Sequence, residues 1–123
     1  MEFLPADSFK VLSNPGVNST QLLAPYNSAS TRVTLTRVEM APGAVQKRHV
    51  HGGSEQIWIV LAGAGELLLA DDGTHPIQAG DVARFADGDV HGLHNTGTET
   101  FVYLSVTSPP LDFGYAYKEE RKP

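Results

Sequence analysis

Apolar residues occur along the chain in short runs that glycine- and proline-rich segments separate. VTLTRVEM at 33–40 alternates weakly between apolar and polar positions, and QIWIVL at 56–61 is apolar on both faces. GELLLA at 65–70 precedes Asp71-Asp72-Gly73, which is typical of a hairpin turn, and TFVYLSV follows at 100–106. Such runs of β-branched, aromatic and aliphatic residues indicate strands. Because no segment has a sustained helical period with caps at both ends, the pattern predicts an all-β sandwich or closed barrel.

The remaining pattern is consistent with one domain over residues 1–123. HPIQ and DVARFA predict two more strands after the hairpin turn. Residues 13–32 predict one or two short strands around Gln21-Leu22-Leu23, within loops. The length of 123 residues is ordinary for a single domain, and 41% apolar residues are enough to form a core.

Charge and composition exclude several classes of function. The net charge is −5 and lysine and arginine form no cluster, so we expect neither nucleic acid nor an anionic membrane as a partner. The chain has no cysteine, which excludes disulfides, thiolate metal sites and cysteine nucleophiles. The N-terminus does not resemble a signal peptide, and no apolar run approaches the roughly 18 residues that span a bilayer. These features predict a cytoplasmic protein.

Three histidines are candidate metal ligands. His49 and His51 are one residue apart, so in a strand both side chains point to the same face and two imidazoles can bind one ion. His91 follows a turn in GDVARFADGDVHGLHN at 80–95 and can supply a third imidazole from a second strand. The alternative is that these are ordinary surface or core histidines. His94 is predicted on the opposite strand face, and His75 in a solvent-facing turn.

The spacing of these histidines resembles the two signature motifs of the cupins, a family of small β-barrels. In motif one, at 43–63, the matching residues are Gly43, His49, His51 and Gly63. In motif two, at 80–95, they are Gly80, Gly88, His91 and Asn95, with Ala86 where proline is usual. The resemblance implies a cupin double-stranded β-helix, which is a jelly-roll barrel of two antiparallel sheets, with a metal inside. The glycines fall at breaks between strands and are assigned to turns.

The fourth ligand is the uncertain position of this resemblance. Six residues separate the family's acidic ligand from its closing glycine, and this count from Gly63 gives Gln56. A count from His51 also allows Glu55. Within the strand, Gln56 shares a face with Trp58, whereas Glu55 lies on the other face. We therefore predict Gln56 as the fourth ligand, with Glu55, or neither residue, as the alternatives.

The predicted metal site thus consists of His49, His51, Gln56 and His91. Such nitrogen and oxygen donors suit one divalent transition metal, Zn, Ni, Mn, Fe or Cu, without choosing among them. Four neutral ligands leave the ion its full charge, which favours anionic oxygen ligands and Lewis-acid chemistry.

Other residues are candidates for the walls and the chemistry of the cavity. Trp58 either forms a wall of the cavity or simply packs in the core. Depending on the strand register, the same space is lined by Phe101 and Tyr103 or by Val102 and Leu104. Arg84 is a candidate anion contact, with a solvated strand edge as the alternative. Asp112 is a candidate general base near the mouth, and Tyr103 is the third weak catalytic candidate. Arg48 is expected to face away from the metal, and Asn95 to bond backbone.

Three functions fit these features. The first is a metal-dependent lyase or isomerase acting on a small sugar acid or keto acid, since some cupins with a His-His-Gln-His set resemble enzymes that open unsaturated uronate rings. The second is a cupin dioxygenase, and the third is a non-enzymatic sugar- or ligand-binding protein. Ile57, Ile59 and Leu61 give their strand a second apolar face, which predicts a homodimer.

Overall fold

The computed structural model describes residues 1–111, and these form ten strands and one short 3-10 turn. The elements are β1 Lys10–Asn14, β2 Val17–Leu23, β3 Thr34–Met40, β4 Val45–His49, β5 Glu55–Ala62, β6 Ala64–Leu68, the 3-10 turn Ala70–Asp72, β7 Thr74–Gln78, β8 Val82–Phe85, β9 His91–His94 and β10 Phe101–Ser108. Within this part of the chain, no helix is long and apolar enough to cross a bilayer. The prediction of an all-β fold is confirmed.

The strands form two antiparallel sheets that face each other. The larger sheet has the order β1-β2-β3-β10-β5-β8, and the smaller has the order β4-β9-β6-β7. The chain passes directly from the larger sheet to the smaller one at Gly63, whose φ is +90°. A Cβ atom there would lie 3.0 Å from Cα of Phe101, so both the backbone conformation and the close approach of β10 require glycine. The predicted jelly roll of two antiparallel sheets is therefore confirmed.

The barrel, however, is not closed. Among the described residues, β8 pairs only with β5 and β7 only with β6, so no ladder joins the two sheets along this side. A groove of about 630 Å³ lies there instead, lined by residues of β7 and β8 that include Ile77 and Phe85. The chain reverses between these strands at Gly80, with φ of +93°, and this turn sends β8 to the opposite sheet rather than alongside β7. The fold is a sandwich, which corrects the expectation of a β-barrel.

Most strand predictions are confirmed, with small shifts. β3, β5 and β10 cover the three clearest apolar runs, and Asp71 and Asp72 form the turn between β6 and β7 with positive φ angles of 57° and 60°. β2 includes the predicted Gln21-Leu22-Leu23 segment. β1 begins at Lys10, before the region in which a strand was expected, and His75 lies within β7 rather than in a turn, although it is exposed as predicted.

The space between the sheets has an apolar half and a polar half. The apolar half contains Val38, Met40, Val60, Phe101 and Tyr103, all of which are almost fully buried. Burial of such side chains stabilises the fold by about 1.5–3 kcal/mol each. Farther along the same strands the inward residues become polar, because Thr34, Thr36, Ser105, Thr107 and Gln56 take the corresponding positions. The three histidines lie next to this polar half.

Asn95 fixes the end of β9. Its side-chain amide donates to the carbonyl oxygens of Met40 and Glu99, at 2.9 Å each, and its oxygen accepts from the backbone N–H of Gly97 at 3.0 Å. The residue is fully buried. The expectation that Asn95 bonds backbone is confirmed, and these bonds hold the strand on which His91 lies.

Candidate metal centre

His49, His51 and His91 converge on one point. His49 is the last residue of β4 and His91 the first of β9, and the two are register partners in the smaller sheet. His51 lies two residues beyond the end of β4, outside the strand, yet still turns toward the other two. One ligand nitrogen from each ring lies within 4.8 Å of the other two. This is the spacing that three imidazoles need to hold one ion.

Hydrogen bonds set the tautomers of two of these rings. Nδ1 of His49 lies 2.7 Å from the carbonyl oxygen of Lys47, and Nδ1 of His91 lies 3.0 Å from that of Asp89. A carbonyl oxygen only accepts, so each Nδ1 carries the proton and donates it. The lone pair of each neutral ring is then on Nε2. This is the arrangement by which metal-binding histidines are usually oriented.

Gln56 points into the same region, and its amide orientation is fixed. The residue is 4% exposed, as the alternation along β5 predicts. The indole Nε1 of Trp58 donates to Oε1 of Gln56 at 3.1 Å, and Nε2 of Gln56 donates to Oγ1 of Thr107 at 3.0 Å. Because an indole N–H can only donate, the amide oxygen must be the atom that faces Trp58. That oxygen also lies 3.1 Å from Nε2 of His91.

This last contact tests whether the residues suit a metal ion. Nε2 of His91 has its lone pair directed toward Gln56, and Oε1 of Gln56 is also an acceptor, so in the neutral state no proton lies between them. Two acceptors 3.1 Å apart repel each other unless a cation or an added proton bridges them. A metal ion that accepts both lone pairs removes this repulsion, so the donor set fits a metal.

Burial keeps His51 and His91 in the neutral, metal-binding form. Burial, with the nearby rings of His49 and His91, lowers the pKa of His51 from 6.5 to about 4. Burial also lowers the pKa of His91 to about 4, although the hydrogen bond to the Asp89 carbonyl partly opposes this change. Both rings are therefore neutral at pH 7 and present lone pairs rather than charge.

Glu55 lies on the opposite face of β5. Its carboxylate forms an ion pair with Nε of Arg84 at 3.2 Å, and both side chains are exposed. The structure thus places Glu55, the alternative fourth ligand, away from the three histidines. It also places Arg84 on the outer face of the sheet. This agrees with the alternative prediction, a solvated strand edge, and not with a role as an anion contact in the cavity. The physical reason is strand parity, because Ile57 and Arg84 are partners across β5 and β8.

Aromatic rings form the wall beside the histidines. The ring of Phe85 stacks on His91 with centroids 4.5 Å apart, and Trp58 stacks on Tyr103 at 4.3 Å. The Tyr103 hydroxyl donates to Oε1 of Gln46 on β4 at 2.7 Å. Phe101 and Tyr103 therefore face the interior, whereas Leu104 is only half-buried.

Some site residues were not found by sequence reasoning. Phe85, Thr107 and Gln46 reach the site only through the pairing of their strands, which no short motif encodes. Arg48 faces away, as predicted, and its guanidinium donates to the carbonyl oxygens of Leu69 and Gly73. Asp112, the candidate general base, lies outside the described residues.

The groove between β7 and β8 is lined by none of the three histidines, so the metal centre is a separate site.

Comparison with known families agrees with the fold and the site. The family model described as "Cupin domain" matches residues 36–107, which include all of the residues that converge here. The chain belongs to the cupin family. As a cupin, it carries a cluster of three histidines that is able to bind a metal ion, with Gln56 beside it.

Curated relatives and a solved structure extend this similarity. The chain is 35% identical over 71 residues to the "Oxalate-binding protein" of Thermotoga maritima, an alignment that covers 57% of this chain and 57% of that protein. It is 30% identical over 102 residues to "Protein SchB" of Streptomyces halstedii, covering 80% of this chain and 73% of SchB. The chain thus spans little more than half of the Thermotoga relative. A cupin-superfamily sugar phosphate isomerase from Silicibacter pomeroyi superposes with a TM-score of 0.72 and 26% identity, covering 86% of this chain and 74% of that one.

Proposed function

We propose that this cupin binds one divalent transition metal through His49, His51, Gln56 and His91 and acts as a lyase or isomerase on a small sugar acid or keto acid. The observation that supports it best is the 3.1 Å approach of two acceptors, Oε1 of Gln56 and Nε2 of His91. When bound, the ion supplies Lewis acidity toward a carbonyl or carboxylate oxygen. Zn, Ni, Mn, Fe and Cu all suit this donor set.

The charge of the site favours an acid as the substrate. All four proposed ligands are neutral, so no ligand carboxylate reduces the charge of the ion. Glu55, the nearest acidic alternative in the sequence, is turned outward and paired with Arg84. An anionic oxygen of the substrate is therefore the group that best completes the charge balance of this site.

The surrounding residues position the ligands and cover one side of the site. Trp58 and Thr107 hold the Gln56 amide so that its oxygen faces His91. The rings of Phe85 and Trp58 contact each other and cover one side of the site, and both side chains are almost fully buried. Among the predicted catalytic candidates that lie in residues 1–111, Tyr103 has its side chain in the interior, and Gln46 holds its hydroxyl in one direction.

The names of the relatives support the substrate class but not one reaction. The Thermotoga relative is named for binding oxalate, a small dianion, and the similar Silicibacter structure is titled a sugar phosphate isomerase. Both ligands are small, oxygen-rich anions. This agrees with a site whose metal keeps its full positive charge.

Metal content tests the proposal. Wild-type protein and the variants His91→Ala and Gln56→Leu are purified in parallel, and their metal content is measured by inductively coupled plasma mass spectrometry. We expect about one ion per chain in the wild type and a large loss in both variants. His75→Ala is the matched control, because His75 is exposed and lies outside the cluster. Equal metal content in all four proteins would refute the proposed site.

A second candidate function is ligand binding without turnover, which the name of the oxalate-binding relative favours.

Oxygen consumption on addition of substrate identifies a dioxygenase, whereas anaerobic product formation identifies a lyase or isomerase. A binding protein forms no product under either condition. For a binding protein, His91→Ala lowers the ligand affinity, and neither the wild type nor the variant forms product or consumes oxygen.

We further propose a homodimer in the cytoplasm. On the outer face of the larger sheet, Ile59 is 36%, Leu61 48% and Val82 63% exposed. Ile59 and Val82 are partners across β5 and β8, so these side chains form one continuous apolar surface. A second copy of the chain is the occupant that we propose for it.

A further inference from the structure

The loop that carries His51 lies outside the strand ladders. β4 ends at His49, so the pairing of β4 with β9 does not hold the backbone of His51. The loop continues through two glycines, Gly52 and Gly53, before β5 begins. Glycine has more backbone freedom than any other residue, so the loop alone does not direct a side chain to one point. Contacts with other segments of the chain are therefore needed to restrain this loop.

A carboxylate on a distant turn provides one such contact. Oδ1 of Asp87 accepts from the backbone N–H of Gly53 at 2.8 Å, across 34 positions of the sequence. Gly53 follows His51 by two residues and has a φ of +88°. At the end of the loop, the Ser54 hydroxyl donates to the carbonyl oxygen of Pro109 at 2.9 Å. Bonds to residues outside the loop reduce the number of conformations that its glycines allow.

The turn on which Asp87 lies also reaches a second proposed ligand. The backbone N–H of Asp89 donates to the carbonyl oxygen of Ala86 at 3.0 Å, and the N–H of Ala86 donates to Oδ2 of Asp89 at 2.8 Å. These two bonds close the turn. The carbonyl oxygen of Asp89 accepts from Nδ1 of His91 at 3.0 Å. The same turn is thus bonded to the loop of one histidine and to the ring of another.

We propose that Asp87 is a positioning residue of the metal centre, which holds the loop of His51 so that its imidazole meets those of His49 and His91. The inference rests on the proposed function, because it concerns how one of the proposed ligands is placed. A ligand that is held before the ion arrives loses less conformational freedom on binding, so this bond favours metal affinity. The Asp87 side chain is exposed, so water screens its charge, and its acceptor oxygen is the property that matters.

Metal affinity, measured as competition for Zn²⁺ with a chromophoric chelator, tests this role. We expect Asp87→Ala to lower the affinity roughly three- to ten-fold, as the loss of one hydrogen bond does. Asp87→Asn keeps a side-chain oxygen that accepts from Gly53, and its affinity is expected to stay within about twofold of the wild type. Unchanged affinity in Asp87→Ala would overturn the proposal. An equal loss in both variants would overturn it too, because the charge would then be the cause.

Asp81→Ala is the matched control. Asp81 is an exposed aspartate at the opposite end of β8, and its Oδ2 accepts from the backbone N–H of Gln78 at 2.9 Å. The change removes the same charge and the same kind of turn bond, but in the turn between β7 and β8. We expect this variant to keep the wild-type affinity for Zn²⁺. A loss as large as that of Asp87→Ala would contradict a specific role for Asp87.

A second measurement follows His51 directly, in the metal-free protein. Diethyl pyrocarbonate acylates accessible neutral imidazoles, and mass spectrometry of the peptides gives the rate at each histidine. His51 is 6% exposed, and we expect it to react several-fold faster in Asp87→Ala than in the wild type or Asp87→Asn. His91 keeps its bond to Asp89 and is expected to react at an unchanged rate. An unchanged rate at His51, or an equal rise at His91, would overturn the proposal.

The two measurements separate this inference from the proposed function. A wild type that binds no metal refutes the proposed metal site, whereas the reactivity of His51 still shows whether Asp87 holds its loop. A wild type that binds metal, with affinity and reactivity both unchanged in Asp87→Ala, refutes the positioning role alone.

Discussion

Oε1 of Gln56 lies 3.1 Å from Nε2 of His91, and in the neutral protein both atoms are hydrogen-bond acceptors. A separate hydrogen bond holds each residue in place. The indole N–H of Trp58 donates to the Gln56 oxygen, and the protonated Nδ1 of His91, on the far side of the ring, donates to the carbonyl of Asp89. Because the fold holds these two lone pairs close to each other, a cation can bind between them.

Replacing Gln56 with Glu is expected to tighten metal binding and weaken anion binding. A carboxylate adds a full negative charge beside the ion, and such an interaction is worth several kcal/mol at the effective dielectric near a protein surface, so we expect at least about a tenfold gain in metal affinity. Competition with a chromophoric chelator measures it. Glu55→Gln is the control with the opposite charge change, and it should leave the affinity unchanged because Glu55 faces outward. Equal shifts in the two variants would contradict the assignment.

Trp58→Phe is expected to weaken metal binding without unfolding the protein. The phenyl ring keeps most of the packing, but the indole N–H that orients the Gln56 oxygen is lost. Removing a group that orients a metal ligand typically costs 10- to 100-fold in metal affinity. Tyr103→Phe is the matched control, since it removes the polar atom of the adjacent stacked ring, a hydroxyl that donates to Gln46. An affinity loss of the same size in both variants would argue for general packing instead.

The stability of the metal-free protein is expected to fall as the pH is lowered from about 6.5 to about 4. The pKa values of His51 and His91 are lowered from 6.5 to about 4 in the folded state, mainly by burial. In this window the unfolded chain binds more protons than the folded one, so the free energy of unfolding rises with pH and is lost on acidification. Below about pH 4 both states are protonated at these rings, and their contribution levels off.

Urea unfolding at several pH values, with the metal removed by chelation, measures this dependence. The variant His51→Ala/His91→Ala is expected to show a shallower decline over the same range, because it lacks the two groups that take up protons on unfolding. If the decline is as steep in the variant as in the wild type, then other groups cause it.

Leu61→Lys is expected to convert a dimer into a monomer. The charge would be placed in the proposed contact surface of Ile59, Leu61 and Val82, where a second copy would have to desolvate it. Size-exclusion chromatography with light scattering gives the mass of each species. Val45→Lys is the control, because Val45 is 49% exposed but lies in the smaller sheet. A wild type that elutes at monomer mass would remove the basis for this surface.

The sequence was sufficient to predict the features that depend on local spacing. Alternation along β5 placed Gln56 inside and Glu55 outside, and the turn at Gly63 ended that strand where the motif required. The convergence of His91 with His49 followed from the resemblance to a known pair of motifs. These predictions succeeded because strand parity and glycine at positive φ are properties of a few consecutive residues.

Features that depend on pairing between distant strands could not be predicted. Thr34 and Thr107 are 73 positions apart and become neighbours only through the register of β3 with β10. Arg84 gave no signal of its direction until β8 was paired with β5. The open side of the sandwich likewise depends on which sheet β8 joins after Gly80, and both choices are compatible with the same apolar pattern.

A crystal structure of the metal-loaded protein, with anomalous scattering at the metal edge, shows whether Gln56 and the three histidines hold one metal ion. We expect an anomalous peak bound by His49, His51 and His91, with Oε1 of Gln56 at a bonding distance of roughly 2.0–2.2 Å and Glu55 still turned outward. A peak bound by the histidines with Gln56 more than about 3 Å away, or the absence of a peak between these residues, would contradict it.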